Sequence, residues 1–470
     1  MLKCKNAWAS KTKWIGLVGL MTILNLKAAD DESDAIRAEI RAMRQAYESR
    51  IAALESEVKG LKSGTGFQKR EAERKVDEVL NKSEAPMLAS NSPLHSVQGT
   101  TKLTLGGYTE FKYIDRGDSI SEFDQHRTIA QLGARIQDRL QLYLEIEYEH
   151  GAVIEGGEET GSELELEQAW IDYEINKALN FRAGMVLVPV GRYNLYHEGH
   201  VNNFVDRPLV DRRIIGTTWF EEGLGFHGRP LDTESLGISY EAYVFNPARA
   251  TDASDEKGFR GIRNEGRSPT SDKKAGAARV AFEPARKAPW LADYLELGIS
   301  GYISGFDGFK GEDELGNDLN LQDGNIQLAA LDATYEKWNF GFKSEFAFAH
   351  ADSGANATQR KQDAWGYYVE GFYKFWPGFL NASPFGNGFK KPQLVIAARY
   401  DWVDLNLDRF DQRDMGRVTL GISYRPLPNT VFKFDYQIDH SPSGRAGTTL
   451  DESGNGKNTD AFLFSVATGF

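Results

Sequence analysis

The chain has 470 residues, with 55 Lys and Arg against 68 Asp and Glu, giving a formal charge of −13. That acid surplus excludes a non-specific nucleic-acid binder, which needs a basic footprint. A mean hydropathy of −0.48 excludes a helical membrane protein with many spans, though not a barrel with half-apolar strands, and the single cysteine, Cys4, excludes disulfides, Cys-ligated metal and thiol catalysis elsewhere in the chain.

Residues 1–29 read as a secretory signal peptide: Lys3, Lys5, Lys11 and Lys13 with no acid, then a mostly apolar run from Trp14 to Leu26, then Lys27-Ala28-Ala29. The apolar run is too short for a comfortable helical span. Residues 30–83 read as a coiled-coil helix. Ile36, Ile40, Met43, Tyr47, Ile51, Leu54, Val58 and Leu61 are spaced alternately three and four apart, with one stutter between Tyr47 and Ile51. Outside that seam the segment is polar, so it needs partners, and Ile and Leu mixed in the seam permit a trimer. Residues 84–101, with Pro86 and Pro93, read as a linker.

From Lys102 the period changes to two. Leu103, Leu105, Gly107, Thr109, Phe111 and Tyr113 alternate with Thr104, Tyr108, Glu110 and Lys112. In Arg139–Glu149, Leu140, Leu142, Leu144, Ile146 and Tyr148 alternate with Gln141, Tyr143, Glu145, Glu147 and Glu149. One apolar and one wet face is the pattern of a half-buried strand. Further strands are expected at 126–137, 163–174, 178–187, 219–228, 236–247, 277–284, 293–304, 325–336, 338–350, 363–375, 392–403, 415–425, 429–440 and 460–470. With the first two that makes sixteen.

Connections alternate between short (near Gln137, Lys177, Lys337 and Leu427) and long (188–218, 248–276, 305–324, 351–362 and 441–459). Short turns at one end and long loops at the other describe an antiparallel up-and-down barrel of the bacterial outer membrane, residues 102–470, with the N-terminal segment in the periplasm and lipid and lipopolysaccharide around the wall. Only Trp376–Lys391 is long for a periplasmic turn: either an excursion or a miscounted strand. Aromatics near strand ends (Trp170, Tyr173, Trp219, Trp365, Tyr367, Tyr373, Trp402, Tyr424, Tyr436) suit interfacial girdles. The chain ends on Phe470, preceded on the same face by Phe462, Phe464 and Val466.

A sixteen-stranded barrel is too wide to be filled by its own wall, so it leaves an aqueous channel that something must narrow. The candidate is the long loop 188–218, whose Tyr193, Leu195, Tyr196, Phe204, Leu209, Ile214 and Ile215 are too apolar for a segment lying in solvent. Folded inward, its Arg192, Arg207, Arg212 and Arg213 would meet Glu198, Asp206 and Asp211 in a constriction, with Tyr193 and His197 beside them. Opposed charges across a throat sort solutes by charge and size; alternatively the same charges pair and pin the loop to the wall.

Strand parity puts Lys112, Arg135, Arg182, Arg279, Lys343, Lys374, Arg399, Arg417, Arg425 and Lys433 inside, with Glu110, Glu145, Glu147, Glu241, Glu296, Asp332, Glu345, Glu370, Asp401 and Asp435. Ten against ten predicts weak selectivity. His197-Glu-Gly-His200 lies in a loop rather than on a helix, so neither metal nor any cofactor is expected, and the chain lacks G-x-S-x-G and Walker A motifs that would point to an enzyme.

The stretch Gly184-Met-Val-Leu-Val-Pro-Val-Gly-Arg-Tyr-Asn, His197, Arg207-Pro208, Ile215-Gly-Thr-Thr-Trp219 and Glu222-Gly223-Leu-Gly225 resembles the phosphate-selective porin O and P family in its broad sense. The resemblance implies a sixteen-stranded homotrimeric porin passing small hydrophilic solutes or ions, anions such as phosphate among them. Phosphate-selective members are expected to carry an Arg and Lys ladder down the lumen, which the even census above does not show. The alternative function is a tether, in which the barrel anchors a coiled coil that reaches toward the cell wall; about 50 helical residues would span about 75 Å.

Overall fold

The structure, a computed structural model, describes residues 93–95 and 101–470, with breaks at 152–161, 250–257, 313–317, 354–361, 406–413, 441–458 and a few single or paired positions. The expected signal peptide and coiled coil, and most of the linker, lie outside the described residues.

Sixteen antiparallel strands form the barrel: β1 (Thr101–Arg116), β2 (Glu122–Ile136), β3 (Leu140–Glu149), β4 (Glu163–Asn176), β5 (Leu179–Leu187), β6 (Phe220–Asp232), β7 (Gly237–Phe245), β8 (Ala275–Glu283), β9 (Tyr294–Phe306), β10 (Gly324–Lys337), β11 (Phe340–Ser353), β12 (Gln362–Phe375), β13 (Gln393–Asp404), β14 (Met415–Leu427), β15 (Thr430–His440) and β16 (Thr459–Gly469). Each pairs with its neighbour in sequence, and β16 pairs with β1 from Ala461↔Arg116 to Gly469↔Tyr108, which closes the sheet. Below Tyr108 the edge of β1 has no partner from β16. There a three-residue strand, Pro93–His95, pairs with Lys102–Thr104, so part of the expected linker is laid against the barrel and covers an open edge.

The wall is inside-out relative to a water-soluble protein. Lys433 and Asp401 are 0% exposed, while Ile303 is 64% exposed and Phe462 46%. Charge inside and grease outside is the arrangement lipid demands of a barrel whose backbone bonds are all satisfied between strands. The outward aromatics cluster near strand ends: Trp365 stacks on Tyr367, Tyr373 on Phe375 and Trp376 on Tyr424.

Two of the expected girdle residues face the other way. Trp170 lies under the guanidinium of Arg182, 4.0 Å away, and packs on the interior cluster. Trp219 is fully buried against Tyr302. For Trp170 the cause is a bulge. Where β3 meets β4 the register shifts between Glu145/Gln168 and Ile146/Leu166, so Glu167 is the extra residue and the face of everything beyond it changes. Trp219 precedes β6 and belongs to the long loop's base rather than to a strand end.

Connections at one end are two to ten residues long, except 376–392, an excursion that holds a single 3-10 turn, Gly378–Ala382, and no strand. At the other end most are long, though β1 and β2 are joined by 117–121 alone.

Candidate functional site: the loop across the lumen

The loop between β5 and β6 leaves the wall at Val188 and returns at Trp219, and its base is tied by one side chain. Asn194 donates through Nδ2 to the carbonyls of Val188 (2.9 Å) and Trp219 (3.0 Å), and its Oδ1 accepts the Trp219 N–H (2.8 Å). Gly191 makes the turn inward. Its φ is +71°, and a Cβ there would lie 2.0 Å from Glu345 Oε1 and 2.9 Å from Ile215 Cδ1. Only glycine satisfies both the left-handed backbone and the close approach. A short helical turn, Asp211–Ile215, ends at Gly216, also left-handed at φ +81°.

Beyond Gly191 the loop crosses the lumen, and the far wall satisfies its backbone. Gly191 N–H donates to Ser300 of β9 at 2.9 Å; Arg192 and Tyr193 N–H donate to Glu345 of β11 at 2.9 and 3.1 Å. Leu209 N–H reaches Asp401 of β13 (3.0 Å), Val205 N–H reaches Asp435 of β15 (2.6 Å), and Asn203 Nδ2 reaches Glu370 of β12 (2.8 Å). Carbonyls are met by cations. Arg425 of β14 donates to His200 and Asn202, Lys433 of β15 to Gly199 and Phe204, and Arg399 of β13 to Asp206 and Arg207. The apolar underside, Leu209, Val210, Ile214 and Ile215, joins Ala347, Ala349, Ala364, Tyr368 and Val403 in one buried cluster. Alanines on the wall leave the room that the loop fills. An unpaired buried peptide group costs about 1–3 kcal/mol, so much of the wall's charge serves to hold this loop.

The expected throat residues fall into distinct environments. Arg192 packs over Tyr196 at 4.2 Å and bonds Glu296, which it shares with Arg279; Arg279 also pairs with Asp332 at 2.6 Å. Tyr193 is buried edge-on to Tyr368. His197 is held between the Asn194 carbonyl (2.9 Å) and Glu167 (2.7 Å), while His200 lies on Tyr108 at 5.0 Å, so the two histidines do not share a ligand position. Asp211 is buried, and burial together with the neighbouring Glu345 carboxylate pushes its carboxyl well above the usual range. Arg207 donates to Thr217 and Thr218. Arg213 lies half-buried in the same turn. Arg182 pairs with Asp172, and Arg135, closer to the short-turn end, pairs with Glu174 at 2.8 Å.

Asp206 has the densest surroundings. Arg116 of β1 lies 3.1 Å from its carboxylate, Arg417 of β14 3.3 Å, and Arg212 3.7 Å; Arg417 is shared with Asp439. Burial raises the cost of its charge, yet the three guanidiniums win and hold Asp206 well below the usual carboxylate range. Arg212 is the most open of the three, with 31% of its side chain exposed. Above it, Phe259 and Ile262 anchor the connection between β7 and β8, which brings in Arg263, donating to the Gly216 and Thr218 carbonyls, and Arg260. Burial and the neighbouring Arg263, Arg207 and Arg212 press Arg260 down to about 9, so it stays cationic at neutral pH.

All twenty residues assigned inward by parity sit on the expected face, but the census was incomplete. Arg127, Glu167, Asp172, Glu221 and Asp439 are also buried inside the barrel, adding one base and four acids. Arg116 lies one residue beyond the expected end of β1, and Arg260 and Arg263 lie in a connection whose Gly-Phe-Arg-Gly-Ile-Arg pattern carried the same apolar signal as loop 188–218. Acids gather on β3 and β4 (Glu145, Glu147, Glu167), whereas β13 to β15 mix Arg399, Arg417, Arg425 and Lys433 with Asp401, Asp435 and Asp439, with the loop between them.

A family model, phosphate-selective porin O and P, matches residues 108–455. The chain belongs to that family. A relative from Aquifex aeolicus (strain VF5), described as an uncharacterized protein, is 31% identical over 350 residues, covering 71% of this chain and 75% of that one. Among solved structures, a loop L8 deletion mutant of OmpT, an outer membrane protein of Vibrio cholerae, superposes with a TM-score of 0.51 at 13% identity, over 79% of this chain and 100% of that one. In-vitro folded OmpT in its trimer form gives 0.50 at 14% identity, over 79% and 100%. At that identity the likeness is one of fold: the porin O and P chain shares the closed barrel of outer-membrane proteins, and family and barrel together make it a porin channel.

Proposed function

We propose that this porin is a passive diffusion channel of the outer membrane for small hydrophilic solutes, narrowed by loop 188–218 and favouring anions. The observation that carries the preference is the arginine group around Asp206. Arg116, Arg212 and Arg417 surround one carboxylate, with Arg207, Arg260 and Arg263 next to them and Glu265 the nearby counter-charge for Arg263. Guanidiniums confined in a low-dielectric throat and under-matched by acid attract anions and repel cations. The forked donors of arginine suit phosphate and carboxylate oxygens, which supports phosphate-like solutes among those admitted.

The rest of the wall, mixed in sign and largely committed to hydrogen bonds with the loop, favours a shallow preference over a strict filter. Homotrimers in a lipid and lipopolysaccharide environment, a cleaved signal peptide and a periplasmic coiled coil complete the reading. The test is the reversal potential across a planar bilayer under a salt gradient. A preference for chloride over potassium that weakens when Arg212 and Arg213 are both replaced by alanine supports the proposal. A cation-selective wild type overturns it.

A further inference from the structure

We infer that Asp124, His126 and His150 form a divalent transition-metal site on the lumen wall at the long-loop mouth of the barrel. The placement is built by the backbone. Opposite β1 the register of β2 shifts between Glu110↔Arg127 and Lys112↔Asp124, so two residues of β2 face one of β1. This bulge brings His126 onto the side of Asp124 instead of leaving it on the lipid face. His150 follows the last residue of β3 in the left-handed region, with φ +49°, and its N–H bonds the His126 carbonyl at 3.1 Å. That turn directs its ring back over β2.

Both imidazoles present Nδ1 to the same carboxylate. His126 Nδ1 lies 3.1 Å from Asp124 Oδ2, and His150 Nδ1 lies 3.0 and 3.1 Å from its two oxygens. The rings meet edge to face with centroids 5.4 Å apart, and one donor atom from each of the three residues falls within 4.8 Å of the others. Around zinc, ligand bonds of about 2.0–2.1 Å set tetrahedral edges of about 3.3 Å; both nitrogen-to-carboxylate distances already lie near that value, and the two imidazole donor atoms, within 4.8 Å of each other, need only draw together to close on an ion. Two imidazoles with one carboxylate select Zn2+, Co2+, Ni2+ or Cu2+ over Ca2+ and Mg2+, which take oxygen sets. Asp124 and His126 are largely shielded and His150 is half open, which leaves a water-facing position for the remaining ligands. The nearest cations are already engaged: Arg127 with Glu147 and Glu149, Lys112 facing Glu110. A bound ion would place positive charge on the wall where solutes enter.

The site is tested on the refolded full chain without a histidine tag, independently of ion flow. Cobalt(II) chloride titrated into the protein in detergent is expected to give the intense visible absorption of a low-coordinate Co2+ site at one equivalent, displaced by zinc. His150→Ala and His126→Ala should each weaken the affinity at least tenfold. Asp124→Asn, which keeps the shape, should do so too, with folding of each variant checked by heat-dependent gel mobility. The pale spectrum of hydrated cobalt in the wild type, or equal affinity in well-folded His150→Ala, overturns the inference.

Discussion

Replacing Gly191 by alanine tests whether the loop narrows the channel. The new Cβ would lie 2.0 Å from Glu345 Oε1 in a backbone at φ +71°. The left-handed conformation costs a non-glycine residue about 1–2 kcal/mol. The carboxylate must also rotate away, and it is the acceptor for the Arg192 and Tyr193 N–H groups. Losing even one of these charged hydrogen bonds costs about 1.5–3 kcal/mol. The total is about 2.5–5 kcal/mol, set almost wholly against the docked loop. Each 1.4 kcal/mol is a factor of ten, so the docked-to-lifted ratio falls by about two to four orders of magnitude. Single-channel conductance in planar bilayers should rise, with longer and noisier open levels. Gly371→Ala is the control, because a Cβ there meets nothing within 4 Å. If Gly191→Ala conducts as the wild type does while folding normally, the loop does not set the conductance and the constriction argument fails.

Arg212→Ala combined with Arg213→Ala should move the reversal potential toward cation permeation at little cost in stability; an unmoved potential would place the selecting charges elsewhere. Lys433→Met strips the cation from Glu110 and from the carbonyls of Gly199 and Phe204. Breaking a buried pair this way costs about 3–5 kcal/mol, which should appear as a lower unfolding temperature in a heating series read by gel mobility. Asp211 has a folded pKa above its ordinary 3.8. The folded chain therefore keeps a proton that the unfolded chain has already lost, and this group's contribution to stability falls as pH rises above about 4 through the raised value. Asp211→Asn should flatten that slope in a pH series of thermal unfolding; an identical slope would show that Asp211 does not hold the proton.

Strand number, strand limits to within a few residues and the two unlike ends of the barrel were legible because each rests on a local period. Alternation at two residues fixes which face meets lipid, and turn chemistry fixes where a strand reverses. The inward course of loop 188–218 was legible too, since Leu209, Ile214 and Ile215 have no place in water. Which charge meets which was not. Leu209 and Asp401, or Val205 and Asp435, are far apart in sequence and meet only because the closed wall carries them across the lumen. The faces of Trp170 and His126 hinged on single extra residues in β4 and β2, and a bulge leaves no mark in a two-residue pattern. Sequence alone thus determined a greasy-outside barrel with a loop that had to be buried. Only the tertiary structure decided that much of the wall's charge is occupied in burying it, because satisfying a crossing backbone is a problem that arises only once the tube is closed.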